Sequence, residues 1–145
     1  MFVNMKETIG NTFDKAERLC SKNRFERLLS SGSSFISYPL RVVICEADRE
    51  EEEYPAQIAI SVAKKRFKRA VKRNRIKRLI REAYRLNKFK LYERIPRDKR
   101  WDILFIYLGD TVVEYVKIEK AIAGVFRKME KYIEESRDRH TVDSH

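Results

Sequence analysis

Two stretches of this chain place apolar residues at helical spacing. One holds Ile76, Leu79, Ile80, Ala83 and Tyr84; the other holds Ile118, Ala121, Ile122, Val125, Phe126, Met129 and Ile133. Each spacing predicts an amphipathic helix, the first running from Ala70 to Leu86. A shorter helix is predicted from Lys22 to Ser30, with Ser21 as its N-cap and Ser31-Gly32 as its stop. Phe25, Leu28 and Leu29 form its apolar face. Strand patterns lie between the helices. Leu40, Val42 and Ile44 alternate with Arg41, Val43 and Cys45 after a break at Tyr38-Pro39. In Gln57 to Val62, Ile58, Ile60 and Val62 alternate with Ala59 and Ser61. Asp102 to Leu108 reads as a central strand, apolar from Ile103 onward. The acidic stretch Glu46 to Tyr54 reads as a surface loop, and residues 88–101, polar and broken by Pro96, read as a connection.

The order is helix, strands, helix, strand, helix, which predicts an α+β fold built as a single layer pair, a sheet with helices packed against it. With 145 residues the chain fits one domain. That domain is expected over residues 12–134, between a flexible N-terminus (1–11) and a flexible C-terminal tail (135–145). No internal repeat is visible.

Composition narrows the function. Apolar residues make up 43% of the chain, enough for a core, while charged residues reach 38%, above the usual quarter. Lys and Arg number 33 against 22 Asp and Glu, a net charge of +11. Residues 64–85 alone contain twelve bases and one acid, Glu82. That segment carries +11, so the rest of the chain sums to zero. A local excess of this kind points to a polyanionic partner. The longest apolar run, Ile103 to Leu108, is six residues, far short of a membrane span. The N-terminus shows no apolar stretch typical of a signal peptide, so a cytoplasmic protein is expected. Cys20 and Cys45 have neither disulfide-framework nor zinc-site spacing and read as small apolar residues in a reducing compartment.

On the predicted basic helix, Asn74, Arg78, Arg81 and Arg85 fall within a wedge of about 60° opposite the apolar stripe, with Arg73 and Lys77 beside it. Charged helix faces are commonly just solvated. A solvated face, however, normally mixes signs at i, i+4, whereas this one repels itself until anions neutralise it. Arginine forks also match phosphate oxygens. Ahead of the helix, Lys64-Lys65-Arg66-Phe67-Lys68-Arg69 contains no capping side chain, so either water or a phosphate meets the first-turn N–H groups.

The run Ile60-Ser61-Val62-Ala63-Lys64-Lys65, followed by Ala70-Val71-Lys72-Arg73-Asn74-Arg75-Ile76-Lys77-Arg78-Leu79-Ile80-Arg81-Glu82-Ala83-Tyr84, resembles the signature of the bacterial ribonuclease P protein component. Weaker similarity covers Arg18-Leu19, Phe25, Gly32, the strand Ile103 to Leu108 and the last amphipathic helix. The resemblance implies the order α-β-β-β-α-β-α, a mixed sheet, and the fold of the second domain of ribosomal protein S5, with a left-handed βαβ crossover. It implies a protein subunit that assists removal of the 5′ leader from precursor tRNA. Catalysis then belongs to the RNA subunit and its Mg2+ ions, and the protein docks on that RNA through the helix of Arg73-Asn74-Arg75. The leader is held in a cleft between the first helix and the sheet. The basic face and the resemblance together select Lys64, Lys65, Arg69, Arg73, Asn74, Arg75, Lys77, Arg78, Arg81 and Arg85 as RNA-binding residues. Phe13, Lys15, Arg18 and Phe25 are selected for the leader cleft, with Phe13 less firmly supported than Phe25. The chain departs from the common pattern at Arg66-Phe67-Lys68-Arg69, one residue longer and without the usual Gly. It departs again at Leu29, where members carry a second aromatic.

The residues themselves also point to binding without cutting. The two histidines, His140 and His145, lie in the last six positions, leaving none in the body for acid–base chemistry. Glu50 to Glu53 are consecutive and diverge in a loop, and Asp98, Asp102 and Asp110 have no recognisable partner. No catalytic residue, protein-held metal, membrane or small-molecule substrate is therefore expected. Phe13, Phe25, Phe35 and Tyr38 can each stack on single-stranded RNA or pack in the core. The alternative reading is a ribosomal or ribosome-associated RNA-binding protein. A helix-turn-helix DNA regulator fits less well, because a strand precedes the basic helix.

Overall fold

The computed structural model describes residues 15–49 and 54–143. The chain enters through a 3-10 turn, Lys15–Glu17, and continues as α1 (Lys22–Ser31), β1 (Ser33–Ser37), β2 (Leu40–Asp48), β3 (Ala56–Ser61), α2 (Ala70–Tyr92), β4 (Lys99–Tyr107) and α3 (Tyr115–Asp143). The four strands form one mixed sheet in the order β1-β2-β4-β3. β1 with β2 and β2 with β4 are antiparallel, whereas β3 runs parallel to β4 and is joined to it by α2. β4 is central, as its unbroken apolar run predicts.

Alternation along the strands assigns the two sheet faces. Leu40, Val42, Ile44, Ile58, Ile103 and Phe105 point to the main core, where Ile76, Ile80, Ala83 and Tyr84 of α2 and Ile118, Ile122, Val125 and Met129 of α3 cover them. The opposite face carries a small cluster of Leu28, Val43 and Leu104, covered by α1. Ser21 caps α1, its Oγ accepting from Arg24 N at 3.3 Å. Gly32 ends α1 with its N–H on Leu28 O, and a Cβ there would sit 2.6 Å from Val43 Cγ1. Glycine is therefore required for α1 to turn so closely against β2.

Several expectations are corrected. Leu29 is 59% exposed and not part of the α1 core face, because Leu28, with Phe25 beside it, covers Val43 and Leu104. β2 continues through Glu46 to Asp48, paired in register with Trp101 to Lys99, and Tyr54 is buried; of the expected acidic loop, residues 50–53 lie outside the described residues. α2 does not stop at Leu86. Its last turns bury Lys88, Phe89, Leu91 and Tyr92, so of the expected polar connection residues 88–92 are helix and 99–101 already belong to β4. Residues 135–143 continue α3 as helix, with Ser136 buried, and do not begin a loose tail at Glu135. The expected flexible N-terminus lies outside the described residues.

A polar cluster holds the entry segment in place. Lys88 Nζ lies 2.8 and 3.0 Å from the two carboxylate oxygens of Glu17, and neither side chain is exposed. Tyr92 donates to Glu17 at 2.5 Å, and the Tyr84 and Tyr92 hydroxyls are 2.9 Å apart. Burial holds both phenols above the ordinary tyrosine pKa. Leu19 N donates to Ile58 O at 2.8 Å and Gln57 Nε2 to Ala16 O at 2.8 Å, so residues 16–19 run along the outer edge of β3.

Candidate nucleic-acid interface

The basic helix lies as its pattern requires. Ile76, Ile80, Ala83 and Tyr84 are buried, Leu79 is partly buried, and Asn74, Arg75, Arg78 and Arg81 are exposed. The row reaches outside its own helix. Arg18, held on the edge of β3, faces Arg81. Partial burial, then the positive charges of Arg18 and Arg78, lower the Arg81 pKa. Three arginines from two distant segments thus form one field of like charge.

The other predicted residues divide. Arg85 is bound within the helix, with Nη2 2.5 Å and Nε 3.1 Å from the Glu82 carboxylate. That contact pulls Glu82 below the usual carboxylate range and raises Arg85. Arg73 turns inward and donates to Phe67 O at 2.7 Å and Lys68 O at 2.9 Å, closing the turn that precedes the helix. Lys77 is half-buried, while Lys64, Lys65 and Arg69 are exposed. The turn lacking the usual glycine is anchored by Phe67, which is 4% exposed and packs on Tyr107 with ring centroids 6.0 Å apart. Arg66 ties the turn to Leu108 O. At the N-cap, Arg69 is extended and offers no side-chain acceptor to the first-turn N–H groups. A cavity of about 610 Å³ opens there, with Arg66, Arg69, Lys72 and Arg75 around it and Asp110 across from them.

The second sheet face provides the other half of the interface. Phe25 is half-buried, packed beside Leu28, Val43 and Leu104, and partly open to the face beyond α1. Ala59 and Ile106 are partly buried on that face, while Ser61, Arg41 and Ile36 are exposed. α1 is fixed over it by an ion cluster. Arg24 Nη2 and Arg100 Nη1 each lie 2.7 Å from Asp102 Oδ1, and the Asp102 side chain is 2% exposed. Asp102 therefore does have partners: Arg100, two positions back on the same strand face, and Arg24, which is 78 positions away and so not visible from local sequence. Phe35 points into the core and stacks on Tyr132, with centroids 5.7 Å apart. Tyr38 is 71% exposed. Lys15 opens the 3-10 turn, and Phe13 lies outside the described residues. Sequence reasoning missed Arg41 on the open face and the anchors Glu17, Lys88, Arg24 and Asp102.

Among the described residues no group of His, Cys, Asp and Glu could hold a metal ion. No helix there is long and apolar enough to cross a membrane.

Comparisons with known proteins identify relatives of this chain. The family model for Ribonuclease P matches residues 13–130. The ribonuclease P protein component of Porphyromonas gingivalis is 40% identical over 109 residues, covering 74% of this chain and 79% of that protein. Its counterpart from Clostridioides difficile is 32% identical over 117 residues, 80% of this chain and 94% of the relative. Among solved structures, the Staphylococcus aureus RNase P protein superposes with a TM-score of 0.63 at 27% identity, covering 79% of this chain and 96% of that one. The Thermotoga maritima RNase P protein, at 24% identity and a TM-score of 0.59, shares the fold.

Proposed function

The chain belongs to the ribonuclease P protein family, and we propose that it is the non-catalytic subunit of that endoribonuclease, with the active site in the RNA subunit. As the protein component it binds the RNA subunit and serves tRNA 5′ processing. In the proposed division of labour, the metal-ion chemistry of cleavage would be supplied by Mg2+ bound to the RNA subunit, and none of it is assigned to this chain. The protein contributes position and charge.

The observation that carries this reading is the field of Arg18, Arg78 and Arg81 along the exposed face of a basic helix whose start has no side-chain cap. Unfavourable in the free protein, it is relieved when phosphates enter. Arg75, Lys72, Arg69, Lys65 and Lys64 extend the field around the first turn. Arg73 and Arg85 act from behind, the first by shaping the turn and the second by pairing with Glu82. The precursor leader lies across the open sheet face, where Phe25 offers a ring for stacking and Arg18 stands at its β3 border. The Arg24–Asp102 pair keeps α1, and with it Phe25, at its height above the sheet. In the cell, the protein works in the cytoplasm with the RNA subunit and precursor tRNA.

Reconstitution tests this. The protein combined with a bacterial ribonuclease P RNA should support Mg2+-dependent release of the leader from precursor tRNA. Neither component should be replaceable by the other. Cleavage by RNA-free protein that survives stringent purification would place the active site in the protein and refute the proposal.

A further inference from the structure

The charges of α3 are sorted by flank. Between Tyr115 and Ile133 its two acids, Glu119 and Glu130, fall together on the side facing α2, where Glu130 meets Arg94 at 3.5 Å and Glu119 accepts from Tyr115 at 2.9 Å. Five cations, Lys117, Lys120, Arg127, Lys128 and Lys131, fall within a sector of about 100° on the other side. All five are exposed, and none forms an ion pair among the described residues. The acids that return near this side, Glu134 and Glu135, mark the end of the row.

This flank lies along β1, the sheet edge opposite β3. Gly124, in the middle of the row, lets the helix touch the strand: a Cβ there would be 2.5 Å from Ser37 Oγ. Ser37 donates to Ala121 O at 2.8 Å, and Lys128 reaches over the Phe35 ring to Ile36 O. Only the edge strand β1 therefore separates the row from the open sheet face. The border between them carries exposed Ile36 and Tyr38, with Arg41 paired opposite Ile36.

We infer that this flank of α3 is a second single-stranded RNA track, which holds the 5′ extension of a leader after it leaves the sheet-face cleft. The inference rests on the leader reading above. Two observations select this occupant. The unneutralised row complements a phosphate backbone, and it is continuous with the cleft face through apolar and aromatic side chains suited to unstacked bases. The field of Arg18, Arg78 and Arg81 faces the other sheet edge, so one RNA segment does not have to serve both surfaces. From Lys117 to Lys131 the cations span 15 helical residues, roughly 21 Å of axis, room for several nucleotides.

The test uses the reconstituted holoenzyme with two precursors, one whose leader fills only the cleft and one extended at its 5′ end. In the variant, Lys117, Lys120, Arg127 and Lys131 are each replaced by Gln; Lys128 is kept because it covers the β1 edge. Wild type should bind the extended precursor more tightly and with a steeper salt dependence. The variant should lose that difference, the slope falling by about 0.7 for each phosphate it no longer neutralises, while the short-leader precursor binds as before. A charge-preserving set, with the lysines changed to Arg and Arg127→Lys, should keep the difference, and an unchanged urea midpoint checks folding. An extended precursor that binds the neutralised variant as tightly as wild type overturns the inference. So does equal weakening for the short-leader precursor and mature tRNA, which would assign the row to the RNA subunit. If wild type does not prefer precursor over mature tRNA, the leader reading itself fails and this inference with it.

Discussion

Lys88→Met tests the buried anchor of the entry segment. Methionine keeps most of the apolar stem of lysine, so the change removes an ammonium and little volume. In the native protein that ammonium lies 2.8 and 3.0 Å from the two oxygens of Glu17, both residues fully enclosed. Without it, the carboxylate stays buried with Tyr92 donating but loses the ammonium that met both its oxygens. Breaking a buried pair from one side typically costs about 3–5 kcal/mol, since a charge is left uncompensated. Against a total stability of about 5–15 kcal/mol this is a large share, and for a domain of this size it corresponds to roughly 10–15 °C in Tm. Urea unfolding followed by circular dichroism should show the midpoint falling with little change in slope. The double variant Glu17→Leu with Lys88→Met leaves no stranded charge and should recover most of the loss. Because Glu17 precedes Arg18, the single variant should also weaken RNA-subunit binding, by loosening the segment that presents Arg18. A loss below about 1 kcal/mol, or a double variant no more stable than the single one, would refute the reasoning.

Arg78→Ala with Arg81→Ala should lower affinity for the RNA subunit and flatten its salt dependence by about one unit for each phosphate left unneutralised, with each change shifting stability by no more than about 0.5 kcal/mol; an unchanged salt slope would remove this row from the interface. Phe25→Leu should weaken precursor tRNA binding by about 1–3 kcal/mol without affecting mature tRNA. Equal weakening of both substrates, or a simple loss of fold stability with normal precursor preference, would make Phe25 a packing residue only. Tyr84 and Tyr92 keep their protons in the folded state above the pH where unfolded tyrosines ionise. The folded state therefore binds more protons, and stability should be flat up to about pH 10 and then fall, by about 1.4 kcal/mol per pH unit for each phenol. Urea midpoints across that range, compared with Tyr84→Phe, measure the fall; an equal slope in the variant would exclude Tyr84 as a source.

Much of the architecture follows from short-range pattern. The 3.6-residue spacing of Ile76, Ile80, Ala83 and Tyr84 sets the inward face of α2 and hence the outward row of Asn74, Arg78 and Arg81. Ser21 and Gly32 bound α1, the run from Ile103 marks the central strand, and twelve bases against one acid identify the RNA-facing segment. Each signal lies within a few neighbouring residues, so the chain alone displays it. What the tertiary structure decided depends on pairs far apart in sequence. Lys88 reads as one more surface cation until the fold brings Glu17 to it, and that pairing helps make a buried ammonium tolerable within the last turns of α2. Asp102 reads as an isolated acid in a strand until α1 delivers Arg24 across the sheet. Arg73 sits in the most recognisable motif of the chain, yet it turns back to close the Phe67–Lys68 turn, while Arg18, outside that motif, joins the field of Arg78 and Arg81. Local periodicity specifies which way a side chain points from its own helix or strand. The partner it meets is set by which elements the core packs together, and a burial pattern read one residue at a time carries no record of that choice.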